Sequence, residues 1–137
     1  MDNWKPVIHR GDGAWIGRMK SGELGVGTEE EVRASLKAAG LRPMWPFMER
    51  GLEEFRAEFG LRWGELRTPE FPKLDQLIAA TIGAAWRSGS EYWMILSARW
   101  LVEVGQVAQF ERSLLVETRA EMLASDLVRE KVRSSIW

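Results

Sequence analysis

Between Tyr92 and Val104 the chain reads YWMILSARWLVEV, and only Ser97, Arg99 and Glu103 in it are polar. A helix so apolar on every side has to be enclosed by protein or lipid. The stretch is shorter than the roughly 20 residues of a bilayer crossing, and Arg99 and Glu103 stand four apart inside it. The pattern therefore predicts a central helix over 91–104 that the rest of the chain covers. Before it, Leu74, Leu77, Ile78, Thr81, Ile82, Ala85 and Trp86 repeat at i, i+3, i+4, i+7, i+8, i+11 and i+12, a helix over 73–87. Ala79, Ala80, Gly83 and Ala84 on its other faces are small enough for a neighbouring helix to approach closely. Met48, Leu52, Phe55 and Phe59 make a stripe over 46–59, and further apolar faces predict helices over 106–123 and 126–136.

Stop and start signals divide these elements. Thr28-Glu29-Glu30-Glu31 has the form of a capping box and predicts a helix over 29–39, with Val32, Leu36 and Ala39 on one face. Gly40 supplies the left-handed residue that would end it, with Leu41 folding back onto Leu36 in a Schellman close. Gly60-Leu61 repeats that ending after Phe59, and the apolar residues of 61–72 say that this connection packs down. Ser88-Gly89-Ser90 poses a choice. An unbroken helix would align Trp86, Trp93 and Trp100, whereas a glycine inside a helix costs ~1 kcal/mol and Ser90-Glu91 is a good start; a break is favoured. Seven of the 13 glycines fall between Gly11 and Gly40, so 1–27 is expected to be an irregular arm. Within it, Val7-Ile8 could be extended, Asp12 could cap a short helical turn through Trp15, Ile16 and Met19, and Trp4 and Trp15 would fasten the arm to the helices.

Composition narrows the classes. At 137 residues and 45% hydrophobic the chain can bury a core as one domain over 1–137, about two thirds of its unfolded surface. It needs no staples and has none, since cysteine is absent, which removes disulfides, thiolate metal sites and cysteine nucleophiles together. With 19 basic and 20 acidic residues there is no overall field to draw the chain to nucleic acid or anionic lipid. The expected partner is another protein, with no nucleic acid and no membrane, in the cytoplasm; the oligomeric state is left open.

Candidate chemistry is sparse. His9 is the only histidine, next to Arg10 in the glycine-rich arm, a poor setting for a tuned base. Gly11-Asp12-Gly13 reaches Gly17 with one residue too many for a dinucleotide fingerprint, so these glycines read as turns. Glu49, Glu53, Glu54 and Glu58 could offer a metal or a cation a negative patch, against the plainer reading of a solvated face moderated by Arg50 and Arg56. No catalytic, cofactor or metal residues are assigned. Eight tryptophans are many; Trp86, Trp93 and Trp100 read as core, and Trp45 and Trp63, beside prolines and turns, as anchors at an interface.

The caps Thr28, Ser90 and Ser125 are spaced a few tens of residues apart, as in helical solenoids. The stretch WRSGSEYWMILSARWLVE, followed by ASDLVREKVRSSI, resembles the helix pairs of short HEAT-like bacterial proteins, some of immunity or adaptor type, over about the last seventy residues. That resemblance implies an all-α stack of hairpins and protein binding by a helical surface, and carries over no functional residue. The expectation is thus an all-α helical bundle or HEAT-like stack acting as a non-catalytic binding module in an immunity, inhibitor or adaptor role. Trp45, Glu53, Glu54, Glu58, Trp63 and Arg99 are its expected contacts. The alternatives are a small enzyme or nucleotide- or metal-binding protein using the glycine-rich arm, and a structural subunit of a larger assembly.

Overall fold

In place of an irregular arm and a helix over 29–39, the chain begins with a four-stranded antiparallel sheet, seen in a computed structural model that describes residues 3–137. Met1 and Asp2, the start of the expected arm, lie outside the described residues. The strands are β1 (Lys5–His9), β2 (Trp15–Arg18), β3 (Leu24–Gly27) and β4 (Val32–Ser35), each paired with its neighbour in sequence. The fold is therefore mixed α/β, which overturns the all-α bundle and the stack of hairpins.

Local chemistry explains a sheet that lacks clean alternation. A bulge between Pro6 and Ile8 lets consecutive Val7 and Ile8 both be buried. Pro6 is tolerated because β1 is an edge strand. Gly17 faces Pro6, and a Cβ there would lie 2.0 Å from the Lys5 carbonyl oxygen, so only glycine lets the two strands meet. Asp12 caps no helix. Its carboxylate accepts from the Ala14 N–H and the Arg10 guanidinium within the β1–β2 turn. Thr28 Oγ1 does accept from the N–H groups of Glu30 and Glu31, as in a capping box. The Thr28 N–H, however, donates to the Glu31 carbonyl, and the chain turns into β4 instead of a helix. The Schellman close occurs on a single turn, where Leu41 N–H donates to the Leu36 carbonyl and Gly40 N–H to that of Lys37.

The helical part follows. A 3-10 segment, Arg42–Glu49, replaces the start of the helix expected over 46–59, and α1 runs over Leu52–Leu66. It passes through Gly60-Leu61 without ending, because Phe55, Phe59, Trp63 and Leu66 keep one side apolar while Leu61 stands 87% exposed. α2 (Leu74–Trp86) and α3 (Glu91–Val104) lie close to the helices read from their periodicity. The break between them is made by Gly89 in a left-handed conformation, with the Ser90 N–H donating to Ser88 Oγ. The helix expected over 106–123 shortens to a 3-10 turn, Arg112–Leu115, and α4 (Val116–Leu123); the one expected over 126–136 shortens to α5 (Glu130–Ser135).

One hydrophobic cluster joins both parts, from Val7, Ile8 and Ile16 through Phe47, Phe55 and Phe59 to Trp100, Met122 and Ile136. Arg50 ties the layers together: its guanidinium donates to Glu58 and to the Arg10 carbonyl, and its own carbonyl accepts from Trp100 Nε1 at 3.0 Å. Arg10 in turn donates to the Pro43 carbonyl at 2.7 Å. The β1–β2 hairpin is thereby fastened to the 3-10 segment and to α3.

Candidate functional site

α3 is central on one side only. Trp100, Leu101 and Val104 have no exposure, and Ser97 is satisfied by the Met94 carbonyl. Its other side, carrying Tyr92, Ile95 and Arg99, is open, so the enclosure expected from its composition fails there; Ile95 is 43% exposed. The segment from Leu127 through α5 runs along this open side. Between them lie two adjoining depressions of about 230 and 390 Å³ that share Arg99 and Val132. Ile95, Val102, Leu127 and Val132 supply apolar surface, and Arg99, Arg129 and Lys131 supply positive charge.

Among the described residues none of these three cations forms an ion pair. Arg18, Arg33 and Arg67 form none either, so solitude alone distinguishes nothing. What distinguishes Arg99, Arg129 and Lys131 is that they border one recess with an apolar floor. The single carboxylate there, Glu103, is otherwise engaged. Its Oε1 accepts from the Leu52 N–H at 3.2 Å, capping the positive end of α1 where Gly51 has no side chain to offer. Three positive groups against one negative line the recess, in a chain whose net charge is -1. Beyond α5, Trp137 fastens the chain to α3: its Nε1 donates to the Leu101 carbonyl and its ring lies against Arg112 and Arg119.

The remaining residues expected at an interface are not gathered around Arg99. Trp45 is half-buried against Trp93, 6.0 Å between ring centroids, with a buried Nε1 that finds no acceptor among the described residues. Trp63 is half-buried and donates to the Pro72 carbonyl. Glu53 and Glu54 are exposed near the start of α1, and Glu53 borders a separate depression with Arg56 and Glu103. Glu58 pairs with Arg50 at 2.7 Å, and Arg50 precedes α1. The glutamates do not converge, and among the described residues no group of three or more potential ligands could hold a metal ion.

Titratable groups elsewhere serve the scaffold. His9 Nε2 accepts from the Gly13 N–H, and its ring rests on Trp15. Arg62, with help from Lys5, draws the Glu65 carboxyl down from 4.5 to about 2, pinning β1 to α1. The Arg10 guanidinium holds Asp12 below the usual carboxylate range. The Glu49 carboxylate raises the Tyr92 hydroxyl.

Ile95, Arg129, Lys131 and Val132 are the cleft residues that sequence reasoning missed. The sequence names neither Arg129 nor Lys131 as a contact, and the enclosure expected of 92–104 puts Ile95 in the core. The available signal was Ile95 and Arg99, four apart on one side of a helix too apolar to be a surface helix. Compared with family models, with curated proteins and with solved structures, the chain matches none. Among the described residues no helix is long and apolar enough to cross a membrane.

Proposed function

We propose that this chain is a non-catalytic cytoplasmic binding protein that holds another protein in the cleft between α3 and α5, in an immunity, inhibitor or adaptor role. The observation that carries this reading is the open apolar floor of Ile95 and Val132 beneath Arg99, Arg129 and Lys131. An apolar centre with a polar rim is the usual anatomy of a protein contact. Arginine is enriched at such contacts because its planar donors match carboxylates and backbone carbonyls.

The test places a photo-crosslinking benzophenone amino acid at position 95 in the source cell. Position 61, where Leu61 is the most exposed large apolar residue among the described residues, serves as control. One protein captured from position 95 and not from position 61 is the expected outcome. Capture of nothing, or of the same proteins from both positions, would overturn the proposal.

A further inference from the structure

Resting on that reading, we infer that the occupant of the cleft is an acidic amphipathic segment of the partner. Its apolar side chains sit on Ile95 and Val132, and its carboxylates reach Arg99, Arg129 and Lys131. The sign comes from the lining. Three cations border a recess whose one carboxylate, Glu103, is held in place by the Leu52 N–H, so the lining is net positive and carboxylates on a partner complement it. The neighbouring acids do not neutralise it: Glu130 reaches only Arg133, at 3.8 Å, and Asp126 forms no ion pair among the described residues.

The amphipathic character comes from the floor. A volume of about 230 Å³ between Ile95, Ala98, Leu127 and Val132 takes one or two aliphatic side chains. A phosphate backbone has nothing to place there, since its contacts are to charge alone. A flat anionic bilayer would meet the cations but leave the recess unfilled. Carboxylates on arginine make charge-assisted bonds about twice as strong as neutral ones, and at exposed side chains such as these they set partner choice and on-rate. The apolar anchor supplies most of the affinity.

The probe is a fluorescein-labelled synthetic helix with leucines at i, i+3, i+4 and i+7 and glutamates along both flanks, followed by anisotropy against the full chain. Its companions are the same peptide with every glutamate replaced by lysine, a polyglutamate of equal length, and phosphatidylserine vesicles. The acidic amphipathic peptide is expected to saturate, and the lysine peptide is not. Arg99→Glu and Arg129→Glu should each weaken binding at least tenfold. Ile95→Asp should abolish it, with unchanged far-ultraviolet circular dichroism showing that each variant is folded.

Equal binding of the lysine peptide, failure of the acidic peptide to saturate by about 1 mM, or indifference to Arg99→Glu overturns the inference. Arg99-dependent retention by the vesicles overturns it in favour of a membrane surface. Equal binding of polyglutamate overturns the amphipathic part. Capture of a protein through position 95 that survives Arg99→Glu and Arg129→Glu leaves the binding role standing and defeats this inference alone. Peptide binding without capture in the cell does the reverse.

Discussion

Replacing Gly60 by alanine should stabilise the protein, and the sign matters because the sequence alone argues for the opposite. If Gly60 ended a helix in a left-handed conformation, alanine there would be strained and would cost about 1 kcal/mol. In the structure Gly60 is a solvent-facing residue inside α1, which continues to Leu66, and it is not among the glycines with positive φ. A Cβ built on it meets nothing within 4 Å. The change then reports intrinsic helix propensity, which favours alanine over glycine by ~0.8–1 kcal/mol in a helix interior. Gly64 stands one turn further on with equally open space, and Gly64→Ala should stabilise by a similar amount. For a chain of this size a gain of about 1 kcal/mol raises the thermal midpoint by roughly 3–5 °C. Thermal melts by circular dichroism, together with urea midpoints, measure it. A midpoint that falls for Gly60→Ala would mean that α1 stops near Phe59, and the continuous apolar face from Phe55 to Leu66 would be wrong.

Other substitutions test other parts of the fold. Gly17→Ala should destabilise by about 1–3 kcal/mol, because the added Cβ meets the Lys5 carbonyl oxygen at 2.0 Å and backbone cannot rotate away; a melt unchanged from wild type would count against the β1–β2 register. Trp100→Phe removes the donor to the Arg50 carbonyl and leaves a gap beside Phe55, so urea denaturation should show a loss of about 2–4 kcal/mol. Glu65 makes acid sensitivity specific. Its folded carboxyl titrates near 2 against an ordinary 4.5, so the stability it confers is present above pH 4.5 and is lost as pH falls through that range toward 2. Glu65→Gln should therefore lie below wild type near neutrality and converge with it in acid, and a gap that is independent of pH would refute the Arg62–Lys5 clamp.

The readable and unreadable parts of this chain differ for identifiable reasons. α2 and α3 were legible because thirteen and fourteen residues of helical periodicity are separated by Ser88-Gly89-Ser90, and nothing in the tertiary structure competes with that signal. The sheet was hidden because its strands are four or five residues long and the bulge at Pro6–Ile8 breaks the alternation. Glycine at positions 17, 25 and 27 argues locally against strands, yet neighbouring backbone leaves no room for a Cβ at Gly17 and Gly27, and the Met19 side chain crowds Gly25. Thr28 misled for a deeper reason: its hydroxyl makes the same bonds to two following N–H groups in a hairpin turn as at the start of a helix, and the outcome is decided by whether a strand waits to be paired. The far end of α1 was readable and missed. Trp63 and Leu66 extend the stripe of Phe55 and Phe59, and two exposed glycines masked the period. Of the cleft, Arg99 was visible as a charge inside an apolar run, but Arg129 and Lys131 acquire their meaning from a chain reversal that no local pattern encodes.

The two walls of the cleft are attached to the molecule in different ways. α3 is rooted by Leu96, Ala98, Trp100, Leu101 and Val104, whereas α5 buries none of its six residues and is held by the partly buried Val132 in its middle, by Val128 before it and by Ile136 and Trp137 after it. The two sides are therefore unequally anchored: forcing them apart would peel the shallow one, α5, away from Val132 outward, and leave the deep one, α3, where it stands.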